Sequence, residues 1–237
     1  MTMSVNDYDA MAADYSADNE NNAWNALYER PAILAMAGDV AGKRVLDAGC
    51  GAGAHSEALL AGGADVCGCD LSAGMLRQAR RRLGERVALK QADLTQPLPY
   101  ANGQFDMILS SLALHYLEDW SQPLGEFHRI LKDDGRLVFS THHPFMDHAQ
   151  SGGVDYFATY TFEEAWQRGD QTVTMRFWHR PLVAMLRAIE QAGFCIETID
   201  EPMPLAEARE KFPDAWRKLT TAPRFLFFAL RKASRRF

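Results

Sequence analysis

The stretch Asp47-Ala48-Gly49-Cys50-Gly51-Ala52-Gly53 is followed by an acid at position 70 and another at position 93. Glycines in such a loop let the main chain turn sharply and let a ligand approach the backbone closely. A helix starting behind the loop presents free N–H groups and the positive end of its dipole. Asp70, at the end of the next strand-like run, is where a carboxylate accepts two hydrogen bonds from a ribose diol. Asp93, in Gln91-Ala92-Asp93-Leu94, is well placed for an adenine amino group. Together they describe a site for a nucleoside-bearing cofactor. Gly49-x-Gly51-x-x-Ala54 also fits the dinucleotide fingerprint, which predicts NAD and hydride transfer. Three features weigh against that: Asp47 would repel a pyrophosphate but suits an ammonium group, Asp93 suits adenine, and nothing after residue 144 reads as a separate substrate domain.

These residues need a sheet whose strand ends converge. Strand patterns fall at 44–48, 65–70, 87–89, 105–109 and 136–140, alternating with helical ones. The clearest helix is capped by Ser72 and carries Met75, Leu76, Ala79 and Leu83 on one face. Such alternation predicts a parallel sheet covered on both faces. Residues 144–180 break the rhythm with two aromatic, β-prone runs flanking Arg168-Gly169-Asp170, a hairpin-like insertion. Pro181 then opens a helix, and 194–199 and 225–230 read as the last two strands, the final one antiparallel or at an edge. Residues 1–30 are polar yet carry Tyr8, Tyr15, Trp24 and Tyr28, which predicts a helical lid.

On these residues the chain resembles the class I S-adenosylmethionine-dependent methyltransferases, particularly the type-11 small-molecule group. The resemblance rests on 45–53, Gly68-Cys69-Asp70-Leu71-Ser72, 75–80, Ala92-Asp93-Leu94, 105–115 and 131–138. It implies an α/β, Rossmann-like, doubly wound seven-stranded sheet with strand seven antiparallel, formed by 1–237 as one domain. The lid over 1–30 and an insertion over 144–180 on the substrate side would be added to it. By the same resemblance Asp47, Ala48, Gly49, Cys50, Gly51 and Gly53 surround the methionine moiety. Asp70 binds the ribose, Leu71 and Met75 pack near the adenine, and Asp93 binds its amino group beside Ala92 and Leu94. Ser110 faces the sulfonium and Tyr15 reaches in from the lid. The alternatives are an NAD-dependent oxidoreductase or a cofactor-binding module without catalysis.

Methyl transfer from a sulfonium mainly requires collinear placement and exclusion of water. A base is needed only where the attacking atom carries a proton. At the carboxyl ends of strands four and five the chain offers His115 and the pair His142-His143, with His143 favoured and His115 second. The run His142 to His148 also invites a metal reading, but adjacent histidines on an extended chain point apart, so no metal is expected. The aromatic insertion suits an aromatic or partly apolar acceptor, with Tyr156, Trp178 and His179 as contacts and Arg180 beside them.

The chain has 237 residues, 47% of them hydrophobic, and a formal charge of -6. That composition excludes a disordered chain, and the acidic balance disfavours polyanionic partners. Ser110-Ser111-Leu112 stands where amine-modifying nucleic-acid methyltransferases carry an Asn/Asp-Pro-Pro-aromatic run. The basic cluster at 231–237 reads as a solvated tail. Four cysteines without metal-ligand spacing fit free thiols in a reducing cytoplasm. No signal peptide or membrane span is read, and the expected state is a cytoplasmic monomer or homodimer acting on a small molecule.

Overall fold

A computed structural model describes residues 6–153, 155–168 and 171–233. Gly169 and Asp170 of the expected hairpin turn, Met1–Val5 and the tail residues Ser234–Phe237 lie outside them.

The described residues form a seven-stranded sheet in the order β3-β2-β1-β4-β5-β9-β8 and a two-stranded sheet β6-β7. The large sheet comprises β1 (Arg44–Ala48), β2 (Asp65–Asp70), β3 (Ala88–Gln91), β4 (Phe105–Ser110), β5 (Leu131–His142), β8 (Phe194–Asp200) and β9 (Phe225–Lys232). The order reverses between β1 and β4, so the carboxyl ends of those strands open a crevice for a ligand. Pairing is parallel from β3 through β5, whereas β9 runs antiparallel between β5 and β8. The last strand is therefore antiparallel but interior. Its run from Phe225 to Leu230 is wholly buried, as a strand covered on both faces requires.

Alternating side chains divide the core between the two faces. Leu46, Ile108 and Phe228 join Phe105, Phe127 and Phe139 on one side. Their neighbours Val45, Met107, Leu109 and Phe227 join Tyr28, Ile33 and Leu59 on the other. The helices that cover these faces include α2 (Arg30–Ala37), α3 (Ala54–Ala61), α4 (Ala73–Leu83), α5 (Ser121–Ile130) and α7 (Leu182–Gln191). Ser72 caps α4 by accepting from the Met75 N–H at 3.0 Å.

Three local features depart from the sequence reading. Strand β5 begins at Leu131, with residues 132–135 displaced from the ladder where its pairing with β4 shifts register. Where the run from His142 to His148 reads as extended chain in the sequence, Pro144 opens the helix α6 (Pro144–Gln150). Its missing N–H costs nothing at the first helical position, and His143 becomes the cap. Residues 201–222, unassigned from sequence, include α8 (Glu207–Lys211) and α9 (Pro213–Thr221).

The N-terminal α1 (Tyr8–Asn21) and the hairpin of β6 (Tyr160–Arg168) and β7 (Gln171–His179) form a separate apolar cluster. Met11 meets Phe162, Val173, Met175 and Phe177 there, with Tyr8, Tyr15, Tyr116 and Trp166 at its margin. Asp9 ties α1 to α4: its Oδ1 accepts from Ser72 Oγ at 2.6 Å and from the Gly74 N–H at 2.5 Å. A Cβ at Gly74 would fall 2.9 Å from the Asp9 backbone, so only glycine allows this approach.

Candidate active site

Beneath α1 lies a cavity of about 330 Å³, at the switch point of the sheet. Its floor is the loop after β1, and Asp70 closes one side. Asp70 accepts from the Gly51 N–H at 2.8 Å and from the Ser72 N–H at 2.8 Å, so it braces the loop while its carboxylate faces the cavity. Burial raises its pKa, against those N–H groups. Gly49 has a φ of 78°, and a Cβ there would lie 2.7 Å from the Ala113 Cβ. The floor is thus open to a ligand where Gly49 and Gly51 carry no side chain.

Cys50, Leu71, Met75, Ala92, Asp93 and Leu94 line the same cavity, and Tyr15 reaches it from α1. Asp93 Oδ1 accepts from the Thr95 N–H and hydroxyl, both at 2.8 Å, which fixes the carboxylate at the rim. Ala48 and Gly53 act from behind. Ala48 is fully buried, and a Cβ at Gly53 would strike Leu83 of α4. Ser110 does not face the cavity: its hydroxyl donates to the Ala48 carbonyl at 2.9 Å, while the adjacent Ser111 lines the wall.

Two buried polar atoms test what this cavity fits. Asp47 is fully buried; Oδ2 accepts from Ser56 Oγ at 2.6 Å, and Oδ1 has no hydrogen-bond partner. Burial raises its pKa, opposed by His55 and Ser56. Arg30, on the cavity wall, gives one N–H to the Asn19 carbonyl at 2.9 Å but leaves Nε buried and unpartnered. Asp47 lies outside the cavity lining and Arg30 is part of it; an unsatisfied carboxylate oxygen and an unsatisfied guanidinium N–H suit the ammonium and carboxylate of an amino-acid moiety. Asp70 and Asp93 suit a nucleoside. The residues fit S-adenosylmethionine.

A family model described as a methyltransferase domain matches residues 46–139. The solved structure of an S-adenosylmethionine-dependent methyltransferase from Mesorhizobium loti is 30% identical, with 85% of this chain and 96% of that one covered and a TM-score of 0.71. The chain belongs to the S-adenosylmethionine-dependent methyltransferases. The alternative of hydride transfer with NAD falls with that. A demethylmenaquinone methyltransferase of Clavibacter sepedonicus is 37% identical, over 56% of this chain and 57% of that protein. A malonyl-[acyl-carrier protein] O-methyltransferase of Legionella pneumophila is also 37% identical, over 55% of this chain and 46% of that protein. The alignments span about half the length of these two named relatives.

A second cavity of the methyltransferase, about 440 Å³, is bordered by Trp24, His115, His142, Ala165, Trp166, Arg224 and Phe225. It shares Tyr15, Asn25, Leu112 and Tyr116 with the first. The shared wall is the chain after β4 together with the N-terminal segment. The Tyr8 and Tyr116 hydroxyls are hydrogen-bonded to each other across this roof. Burial drives both phenols well above their ordinary pKa, so they remain neutral.

Of the histidines read as bases, His115 borders the second cavity and His143 borders neither. His143 accepts from the Phe145 N–H at 3.3 Å and meets Glu201 at 2.8 Å, the work of a helix cap and an ion pair. Burial lowers its pKa, against Glu201. The expected acceptor contacts are also elsewhere. Tyr156 accepts from the Leu182 N–H at 3.2 Å and His179 donates to the Tyr156 carbonyl at 2.9 Å, stitching the hairpin to α7. Trp178 projects from the hairpin face opposite Phe177. Arg180 donates to the Leu117 and Glu118 carbonyls at 2.7 Å, beneath Trp120. None of the four borders either cavity. Among the described residues no three histidines, cysteines or acids converge as a metal site.

Sequence reasoning missed Glu29, the end of a π-helical turn (Asn25–Glu29). It is fully buried and accepts from Ser140 at 2.6 Å, Ser111 at 2.7 Å and His55 at 3.0 Å. Burial opposes its charge, but His55 and the two hydroxyls outweigh it and hold its pKa below the usual range. No spacing within residues 25–31 signals a partner at 55, 111 or 140. A π-turn inside a helical run is the one local irregularity that marks such a site.

Proposed function

We propose that this methyltransferase transfers a methyl group to a small organic acceptor seated in the second cavity. One observation carries the reading: that cavity is bordered by the rings of Tyr15, Trp24, Tyr116 and Trp166 and shares its wall with the cofactor cavity. A concave site with such a lining suits a small partly apolar molecule. S-adenosylmethionine, when bound, supplies an electrophilic methyl on a sulfonium whose leaving group is a neutral thioether. The protein's part is alignment and exclusion of water. Asp70 and Asp93 hold the nucleoside end, Arg30 and Asp47 the amino-acid end, and Tyr8, Tyr15 and Tyr116 roof the path. On this reading 1–237 works as one methyltransferase domain, with residues 1–30 as its lid and 144–180 as the wall on the acceptor side. The acidic balance favours small acceptors over nucleic acid, and a cytoplasmic monomer or homodimer suffices. Among the described residues no helix is long and apolar enough to cross a membrane.

The test is calorimetric titration with S-adenosylhomocysteine, followed by turnover of a small-molecule panel with methyl-labelled donor. Label entering only added protein or RNA overturns the small-acceptor reading.

A further inference from the structure

We infer that Asp147 and His142 form the general base of the second cavity, and that the acceptor presents a protonated heteroatom, a hydroxyl or an amine, rather than a carboxylate. The inference rests on the acceptor reading above and deepens it.

His142 is the last residue of β5, and α6 begins two residues later. The first turn of α6 folds Asp147 back so that its Oδ1 lies 3.1 Å from His142 Nδ1. Both are buried, with Asp147 only 1% exposed, yet the His142 ring borders the cavity. A carboxylate at Nδ1 selects the tautomer that donates there and leaves the Nε2 lone pair to take a proton. Asp147 then faces the imidazolium that results, so the charge is compensated where it forms.

The neighbours support that assignment. The His115 ring stacks on His142 at 3.9 Å. Its Nδ1 is buried without a partner, and burial, with His142, Arg224 and Arg180, holds its pKa well below the ordinary value. His115 therefore stays neutral, and His142 is the ring of the stacked pair that has a carboxylate at its Nδ1. Arg224 borders the same cavity with its Nε buried and unpartnered, its guanidinium over Trp24 and 4.0 Å from Glu164. A cation there favours the negative charge that develops on an acceptor losing its proton. The charged groups that face this pair of rings are Asp147 from α6 at His142 and, toward His115, Arg224 before β9 and Arg180 after β7, with Glu164 of β6 beside Arg224.

In the step, the heteroatom lone pair forms the bond to the methyl carbon while the carbon–sulfur bond breaks and its pair remains on sulfur. The heteroatom proton passes to His142 Nε2 and then to solvent. An acceptor that is already ionised needs none of this.

The experiment compares the wild type with His142→Gln and Asp147→Asn on phenol, catechol, aniline and benzoate, using labelled donor. Hydroxyl and amine compounds are expected to be methylated. His142→Gln should lower kcat by about 100-fold or more, leave KM and S-adenosylhomocysteine binding near wild type, and remove the acid limb of the kcat profile. Asp147→Asn should lose less. Nitrogen NMR of the wild type should find the His142 proton on Nδ1. Methylation of benzoate alone, an unimpaired His142→Gln, or a His142 ring protonated on Nε2 overturns the assignment. Label found only in added protein or RNA defeats the small-acceptor reading and this inference with it, whereas an unimpaired His142→Gln defeats the base alone.

Discussion

The Glu29 carboxylate stands 3.0 Å from the His55 imidazole, joining a π-turn of the N-terminal segment to the helix behind the glycine loop. The same carboxylate holds Ser111 and Ser140, so one side chain links the ends of β4 and β5 to the N-terminal segment. Removing one partner of a buried pair leaves the other uncompensated.

Glu29→Ala should therefore destabilise the protein by about 3–5 kcal/mol, measured by denaturant unfolding. The pH dependence has a definite sign. Burial works against the charge on His55, but Glu29 outweighs it and raises the pKa above the ordinary 6.5. That contribution is whole below pH 6.5 and fades as pH rises through the raised value. Glu29 is held below its ordinary 4.5, so its contribution is whole above that and fades as pH falls through the lowered value. The difference between wild type and variant should be widest from pH 4.5 to 6.5 and narrow on both sides. A difference that stays constant from pH 3 to 9 counts against the pair.

Gly49→Ala puts a methyl group against Ala113 in a backbone conformation that costs an L-residue about 1–2 kcal/mol. The loop must shift to relieve the contact. Affinity for S-adenosylhomocysteine should fall by about tenfold or more by calorimetry, one such factor per 1.4 kcal/mol. Gly84 has a φ of 59° and open space around it, so Gly84→Ala should cost stability alone. Equal binding by both variants would remove the loop from the cofactor site.

Asp70→Asn keeps the size of the side chain but loses the charge that draws the Gly51 and Ser72 N–H groups and would face a ribose diol. Hydrogen bonds to a charged group are worth about 1.5–3 kcal/mol, so S-adenosylhomocysteine should bind about 10- to 100-fold more weakly. Adenine alone should bind the variant and the wild type nearly alike, because Asp93 and Leu94 are untouched. A uniform loss for both ligands would mean that the pocket had collapsed.

Asp9→Ala removes the acceptor that joins α1 to the first turn of α4. Amide hydrogens of residues 8–21 should exchange faster while those of β1 and β4 do not, and S-adenosylhomocysteine should dissociate sooner. Tyr8→Phe, which loses the Tyr116 contact, should act in the same direction. Unchanged exchange in α1 would show that its apolar contacts alone hold it down.

The glycine loop, Asp70 and Asp93 were legible because each lies at the carboxyl end of a strand whose apolar run and following helix are local patterns. Their partners are set by a sheet order that strand–helix alternation already implies. The hairpin after β5 announced itself in the same way, through two β-prone runs about a turn. Position 110 was misread by one residue. Period two puts either serine on the cavity side, and only the pairing of β1 with β4 turned Ser110 toward Ala48.

The choice between histidines at 142 and 143 shows the boundary. Adjacent residues at the end of a strand point to opposite sides, and nothing in the run His142-His143-Pro144 says which side holds the cavity. By itself the sequence determined the class of sheet, the glycine cradle and the acids at its strand ends, because these depend on neighbours a few residues apart. Tertiary packing alone decided that His142 meets His115, that Glu29 crosses to His55, and that Tyr156 and His179 tie the hairpin to α7. Those contacts arise where separate elements meet, and their partners are chosen by how the elements stack rather than by spacing along the chain.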